Sequence, residues 1–304
     1  MRADLVVILG PTASGKTATA LRLAEAIGGE IVSADSMQVY RGLDIGTAKP
    51  TREERMRVPF HLLDVVDVDE DFTVVDFQRL AAESVEDIRS RGRVPILCGG
   101  TGFYIRAFLE GYAMDRLPSD AALRERLNRE ALESGVEALY ARLAEVDPEA
   151  AARIGRNDRF RIVRALEVCE AGGRPFSSLQ TKAPIPLRSL KVGLCWSRSE
   201  LYRRIDERAA AMLEAGWLQE TRDLLSKSYA ETAVAKRALG YRWLISHLNG
   251  EMTLDEALEM IRRDTRRYAK RQMTWFRKEP DVNWISAERN GPDVWERVLP
   301  LLHS

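Results

Sequence analysis

Gly10-Pro11-Thr12-Ala13-Ser14-Gly15-Lys16-Thr17 matches the pattern G-x-x-x-x-G-K-[ST]. Glycines at these positions let a backbone wrap phosphate oxygens, and a helix that follows aims its positive N-terminus at them. Lys16 can neutralise an outer phosphate, and the Thr17 hydroxyl can ligate Mg²⁺. The motif also needs a strand before it and a helix after it. Leu5-Val6-Val7-Ile8-Leu9 reads as a buried strand, and a helical pattern runs on to about Ile27. The loop is a phosphate site.

The motif leaves the phosphate compound open. ATP-hydrolysing relatives of this loop carry a second carboxylate at a strand end to hold Mg²⁺. Here the strand Val94–Cys98 runs into Gly99-Gly100-Thr101-Gly102 with no acid. Asp35, after the strand Glu30–Ser33, is the acid best placed to face the phosphate loop. An aspartate there equally suits a turn or a helix cap.

These residues need a scaffold, and the hydrophobic pattern supplies one. Short β-branched runs alternate with helical segments such as Phe77–Arg91, with further strands expected at His61–Val66, Val94–Cys98, Lys191–Trp196 and Val282–Ile285. This pattern predicts an α/β fold with a P-loop NTPase-like core and a mostly parallel sheet, its ligands beyond the strands' C-terminal ends. The alternation stops over 114–187, which reads as helices at Ala121–Leu132, Val136–Glu145, from Asp147-Pro148, and Asp158–Ala171. An all-helical insertion, 114–187, therefore divides a core of 1–113 and 188–304. Thr253-Leu254-Asp255-Glu256 is a capping box opening a long helix to about Phe276.

Composition narrows the class. The 304 residues are 45% hydrophobic and 30% charged, as in an ordinary globular protein. No segment approaches the roughly 20 apolar residues that span a bilayer, and the short run Leu5–Leu9 is no signal peptide. Cys98, Cys169 and Cys195 form no C-x-x-C pair, and His61, His247 and His303 show no zinc spacing. A reduced, cytoplasmic protein with no membrane partner is the expectation. Forty-six basic residues balance forty-six acidic ones, yet Arg153–Arg164 and Arg262–Lys278 are basic islands. Such islands make either a local positive surface or a solvated helix face.

Several separated segments together resemble the tRNA dimethylallyltransferase (tRNA isopentenyltransferase) family. They are the phosphate loop; Ser33-Ala34-Asp35-Ser36-Met37-Gln38-Val39-Tyr40; Asp44-Ile45-Gly46-Thr47-Ala48-Lys49-Pro50; Gly99-Gly100-Thr101-Gly102-Phe103-Tyr104; Arg161–Val168; Gly240-Tyr241-Arg242; and Lys270–Arg277. They run in family order across nearly the whole chain. The resemblance implies alkylation by dimethylallyl diphosphate of N6 on the adenine 3′-adjacent to the tRNA anticodon. The loop Gly10–Thr17 would then hold a diphosphate leaving group, with Mg²⁺ on Thr17.

By the same resemblance, Asp35 is the general base for the adenine amine, Thr101 hydrogen-bonds that nitrogen, and Arg237 meets the diphosphate. Contacts to the tRNA anticodon stem-loop are implied for Asp35, Ser36, Met37, Gln38, Thr101, Arg124, Phe160, Arg161, Ile162 and Arg164. Tyr241, Arg242, Lys270, Arg271, Gln272, Trp275 and Arg277 complete that set. The family tends to have glutamine where this chain has Phe160, which can stack on a loop base or join the core. A base stacked in the loop must be turned out to react. A monomer is expected. The alternatives are a relative that prenylates free adenylate and, in another class, a P-loop small-molecule kinase.

Overall fold

β1 (Leu5–Leu9) is buried along its whole length. Its neighbours are β4 (Pro95–Gly99) and β5 (Ser189–Cys195), both parallel to it. A strand covered on both faces has no place for polar side chains, which is why Leu-Val-Val-Ile-Leu reads as one apolar run. Each such side chain contributes about 1.5–3 kcal/mol by burial, so an aspartate at Val7 would break the centre of the sheet. The computed structural model describes residues 3–113, 117–179, 181–226, 234, 238–287 and 294–302. With β2 (Glu30–Ser33), β3 (Phe60–His61) and β6 (Val282–Ser286), the sheet has six parallel strands in the order β3-β2-β4-β1-β5-β6.

Register turns this order into a site. Leu9 of β1 lies beside Gly99 of β4, and Ser33 of β2 beside Cys98. The phosphate loop, the Asp35 segment and the Gly100-Thr101 turn therefore leave the sheet side by side at its C-terminal edge. Sheets of this type bind ligands at that edge.

The chain forms two compact units, Met1–Phe108 with Pro186–Ser304, and Leu109–Ile185. In the first, α1 (Lys16–Ile27), α2 (Arg52–Arg57), α3 (Val74–Ser90) and α4 (Gly102–Glu110) fall between the early strands. α1 buries Ala20, Leu21, Leu23 and Ala24 in one cluster with Val6, Ile8 and Ile96 of the sheet. The second unit contains α5 (Ala121–Glu133), α6 (Val136–Val146), α7 (Pro148–Arg153), α8 (Arg159–Gly172) and α9 (Phe176–Leu179) around its own core of Leu127, Leu139, Leu143 and Leu166. Its ends are joined by a short neck, with Ala183 N donating to Gly111 O (2.9 Å) and Ile185 N to Leu109 O (3.2 Å). Gly111 has φ +58, and a Cβ there would strike the Ala183 carbonyl.

After β5 come α10 (Arg198–Glu214), α11 (Trp217–Ser226), α12 (Tyr241–Leu248), α13 (Leu254–Phe276) and, beyond β6, α14 (Val294–Val298). The Thr253/Glu256 capping box opens α13 as the sequence indicates. The expected strand His61–Val66 is corrected: only Phe60–His61 joins the sheet, and Val66 makes an isolated parallel bridge with Tyr40. Leu62 and Asp64 have positive φ (63 and 55), which turns the chain away from β2. Asp64 then pairs with Lys49 at 2.6 Å and Arg55 at 2.6 Å. Among the described residues, no helix is long and apolar enough to cross a membrane. The three cysteines are free thiols.

Candidate active site

The phosphate loop is held by its carbonyl groups. Lys16 Nζ donates to Pro11 O (2.8 Å), Arg204 Nε to Ala13 O (2.8 Å) and Trp196 Nε1 to Ser14 O (3.0 Å). With these oxygens tied down, the first N–H groups of α1, which have no intrahelical acceptor, remain for a ligand. Gly15 caps α1 at φ 95, a conformation that suits glycine. Ala13 has φ 63 without being glycine, so the loop stores backbone strain. The Ser14 hydroxyl is buried and has no hydrogen-bond partner among the described residues. A buried polar group of that kind is costly unless a ligand completes it.

Beyond β2, Asp35 Oδ1 accepts from Met37 N (2.9 Å) and Gln38 N (3.4 Å). Asp35 is thus a turn residue and a pocket-lining acid at once. Gln38 is spent within the protein: its amide accepts from Ser33 Oγ (3.0 Å) and donates to Thr47 O (3.1 Å) and Ala48 O (3.2 Å). Thr101 Oγ1 accepts from Ser36 N (3.0 Å), joining the β4 turn to the Asp35 segment. The wall formed by Gly46–Ala48 is fixed by Glu220, whose carboxylate accepts from Asp44 N, Ile45 N and Gly46 N at 2.7–3.0 Å.

A pocket of about 280 Å³ is lined by Thr12, Ala13, Lys16, Thr17, Asp35–Gln38 and Gly99-Gly100. α10 and α13 close it with Arg208, Met212, Tyr268, Arg271 and Gln272. Burial lowers the Lys16 ammonium from its ordinary 10.5 to about 8, and Arg208 beside it pushes the same way. Burial also lowers Arg208, which Asp35 partly offsets. Neither cation has an ion pair among the described residues. Two half-buried cations, Lys16 and Arg208, thus share the pocket with the carboxylate of Asp35. Burial pushes the Cys98 thiol, on the pocket wall, up to about 12, so it stays protonated.

Arg208 was not among the residues singled out from the sequence. A signal was present: Ile205, Ala209 and Met212 beside it also line the pocket. Arg204, one turn earlier, turns to the phosphate loop through Ala13 O, so two arginines spaced i, i+4 mark this face of the helix. Arg237 lies outside the described residues.

A model of the IPP transferase family matches residues 38–279 of this chain. A tRNA dimethylallyltransferase of Geobacter metallireducens is 49% identical over 98% of this chain and 97% of its own length. The chain belongs to the IPP transferase family. The tRNA dimethylallyltransferase of Symbiobacterium thermophilum is 50% identical over 98% of this chain and 93% of its own. Among solved structures, a tRNA isopentenylpyrophosphate transferase of Bacillus halodurans superposes with TM-score 0.71 at 38% identity, covering 99% of this chain and 97% of that one. A eukaryotic dimethylallyltransferase acting on tRNA gives TM-score 0.77 at 29% identity, covering 94% and 74%.

In this IPP transferase chain the basic helix α13 divides in two. Arg262 pairs with Glu259, Arg266 with Asp206, and Arg263 and Arg267 lie beside Asp264. Arg242 also pairs with Asp264 and stacks on Trp243. By contrast, Lys270, Arg271, Arg277 and Lys278 are exposed, with no ion pair among the described residues. Trp275 packs under Arg106 (4.6 Å to the ring) and edge-on to Phe103. Tyr241 is buried and donates to Glu220 (2.6 Å), and Gln272 is buried as well.

Within the helical unit, Phe160 is 80% exposed and Ile162 fully buried. Arg161 is exposed beside Asp158, while Arg124 and Arg164 both pair with buried Glu167, at 2.7 and 3.0 Å. Of the residues expected at RNA, Phe160, Arg161, Lys270, Arg271 and Arg277 thus offer open side chains. Ile162, Tyr241 and Gln272 present theirs to the interior.

The pocket's donor set suits a hard divalent cation. Thr17 offers a hydroxyl oxygen to the same pocket that Asp35 lines. Among the described residues, no cluster of three or more His, Cys, Asp or Glu could hold a metal ion by itself. Mg²⁺ is commonly held this way, by few protein oxygens plus phosphate and water.

Proposed function

We propose that this chain transfers a dimethylallyl group from dimethylallyl diphosphate to N6 of the adenosine 3′-adjacent to the anticodon in tRNA, releasing diphosphate. The observation that carries the reading is the pocket itself: a phosphate loop with two half-buried cations, and a carboxylate lining the same pocket. Family membership supplies the reaction class.

The allylic C–O bond breaks with its electron pair going to the diphosphate oxygen. Lys16, Arg208 and the loop N–H groups offset that charge where it develops. Mg²⁺, held by Thr17 and the diphosphate, would supply Lewis-acid stabilisation of the same oxygens. The N6 lone pair forms the new N–C bond, and its proton passes to Asp35. Asp35 keeps one oxygen in its turn, so the carboxylate is aimed before substrate arrives. Thr101, tied to Ser36, orients the amine. The exposed cations Lys270, Arg271, Arg277 and Lys278 on one unit, and Phe160 and Arg161 on the other, serve RNA phosphates and a splayed base.

The test supplies labelled dimethylallyl diphosphate or ATP with tRNA, AMP or no acceptor. Label from the diphosphate on tRNA, without ATP, is the expected result. Label only on AMP would make the chain an adenylate prenyltransferase, and phosphoryl transfer from ATP would make it a kinase.

A further inference from the structure

Gln272 sits in the last two turns of α13, among the exposed cations Lys270, Arg271 and Arg277, yet its side chain points the other way. The residue is 6% exposed. Its Oε1 accepts from Thr12 N of the phosphate loop (2.8 Å), and its Nε2 donates to Gly100 O beyond β4 (2.9 Å). A Cβ on Gly100 would collide with that nitrogen, so the glycine is what lets the amide approach. One amide group thus ties two loops that line the same pocket, one carrying the phosphate cradle and the other leading into Thr101.

The polarity of the bridge is specific. Thr12 N–H can only donate and the Gly100 carbonyl can only accept, so the bridging group must offer one acceptor and one donor. Glutamine does this at any pH. Methionine has the shape and neither function, and glutamate has both functions only when protonated. One N–H and one carbonyl lone pair of Gln272 are spent on this bridge, which fixes the amide between the two loops.

The geometry points to Gln272 as a positioning residue for the diphosphate site, holding Thr12 and Gly100 in the spacing the bound diphosphate needs. It does not touch RNA, although it lies in the most basic stretch of the chain. The assignment rests on the diphosphate reading of the pocket and adds to it. α13 then works on two faces, its exposed cations outward and this amide inward.

The experiment uses the full chain, with Gln272→Met and Gln272→Glu beside wild type. Binding of inorganic diphosphate with Mg²⁺ is measured by calorimetry, binding of tRNA by filter retention, and the folded fraction by circular dichroism. Leaving both a buried donor and a buried acceptor unpaired should weaken diphosphate binding in Gln272→Met by about tenfold or more, with tRNA affinity unchanged within about twofold, the spread expected for a residue making no phosphate contact. In Gln272→Glu the deficit relative to wild type should shrink as pH falls and the carboxyl regains its proton. A bystander structural role would move stability alone, so wild-type diphosphate binding by folded Gln272→Met would overturn the assignment. Weakened tRNA binding with intact diphosphate binding would overturn it in favour of RNA contact. Wild-type protein that binds no diphosphate would sink the diphosphate reading, and this assignment with it.

Discussion

Lys16 is the residue whose ordinary role in the pocket has a measurable cost. Burial lowers its ammonium from 10.5 to about 8. At about 1.4 kcal/mol per pH unit, that difference sets an upper figure of about 3 kcal/mol for holding the charge in the empty pocket at neutral pH. The side chain keeps partial contact with pocket water, so about 1–2 kcal/mol is the expectation. The sign follows from the depressed value. Below pH 8 both folded and unfolded chains carry the proton and the fold bears the penalty. From 8 to 10.5 the unfolded chain binds more protons, and stability rises with pH. Lys16→Met keeps the length of the side chain and removes the charge. Without ligand it should unfold at higher urea than wild type at pH 7, and the gap should close towards pH 10. Diphosphate with Mg²⁺ should raise the wild-type midpoint, because a ligand bound only by the native state stabilises it, and should barely move that of Lys16→Met. An unliganded Lys16→Met less stable than wild type would refute the reasoning, since it would mean that the ammonium's bond to Pro11 outweighs its desolvation.

Asp35→Asn keeps an acceptor for Met37 and Gln38 but cannot take a proton. Single-turnover transfer at saturating substrates should fall roughly 10²–10⁴-fold while diphosphate binding persists, and near-normal turnover would end the general-base role. Reversing Lys270, Arg271, Arg277 and Lys278 should weaken tRNA binding and flatten its salt dependence by about 0.7–0.9 per lost phosphate contact; an unchanged slope would leave these cations as a solvated face. Glu30 gives an acid-side prediction. Hydrogen bonds from Arg91, more than His61, hold its carboxyl at about 2 against burial and an ordinary 4.5. Its stabilisation is therefore complete above pH 4.5 and lost as pH falls towards 2. Arg91 is 41% exposed, so the loss should be about 1–2 kcal/mol after solvent screening, and Glu30→Gln should flatten that limb of a urea-midpoint profile.

The phosphate loop was legible because its geometry is dictated locally, residue by residue. The strands were legible for a similar reason, since burial on both faces forces continuous apolar runs. His61–Val66 misled because its apolar residues Leu62, Leu63, Val65 and Val66 outweighed Asp64, a poor strand former whose ion pairs with Lys49 and Arg55 accompany the turn. Arg208 escaped notice since its meaning depends on which face of α10 packs over a loop almost 200 residues earlier in the chain. The basic stretch of α13 could be read for charge but not for direction: Arg262 and Arg266 are already paired, and Gln272 faces inward.

The neck of the helical unit carries a consequence for chain surgery. Leu109 and Ile185 are hydrogen-bonded to each other, so excising the stretch between them leaves a gap that a tight turn can close at small entropic cost. Every residue lining the phosphate pocket lies in 12–100 or 205–272, outside the excised stretch. A shortened chain should therefore keep its affinity for diphosphate. Whatever tRNA affinity disappears with the 109–185 segment would measure that cassette's own share of RNA binding, and the cassette of a relative could be spliced in at the same two residues.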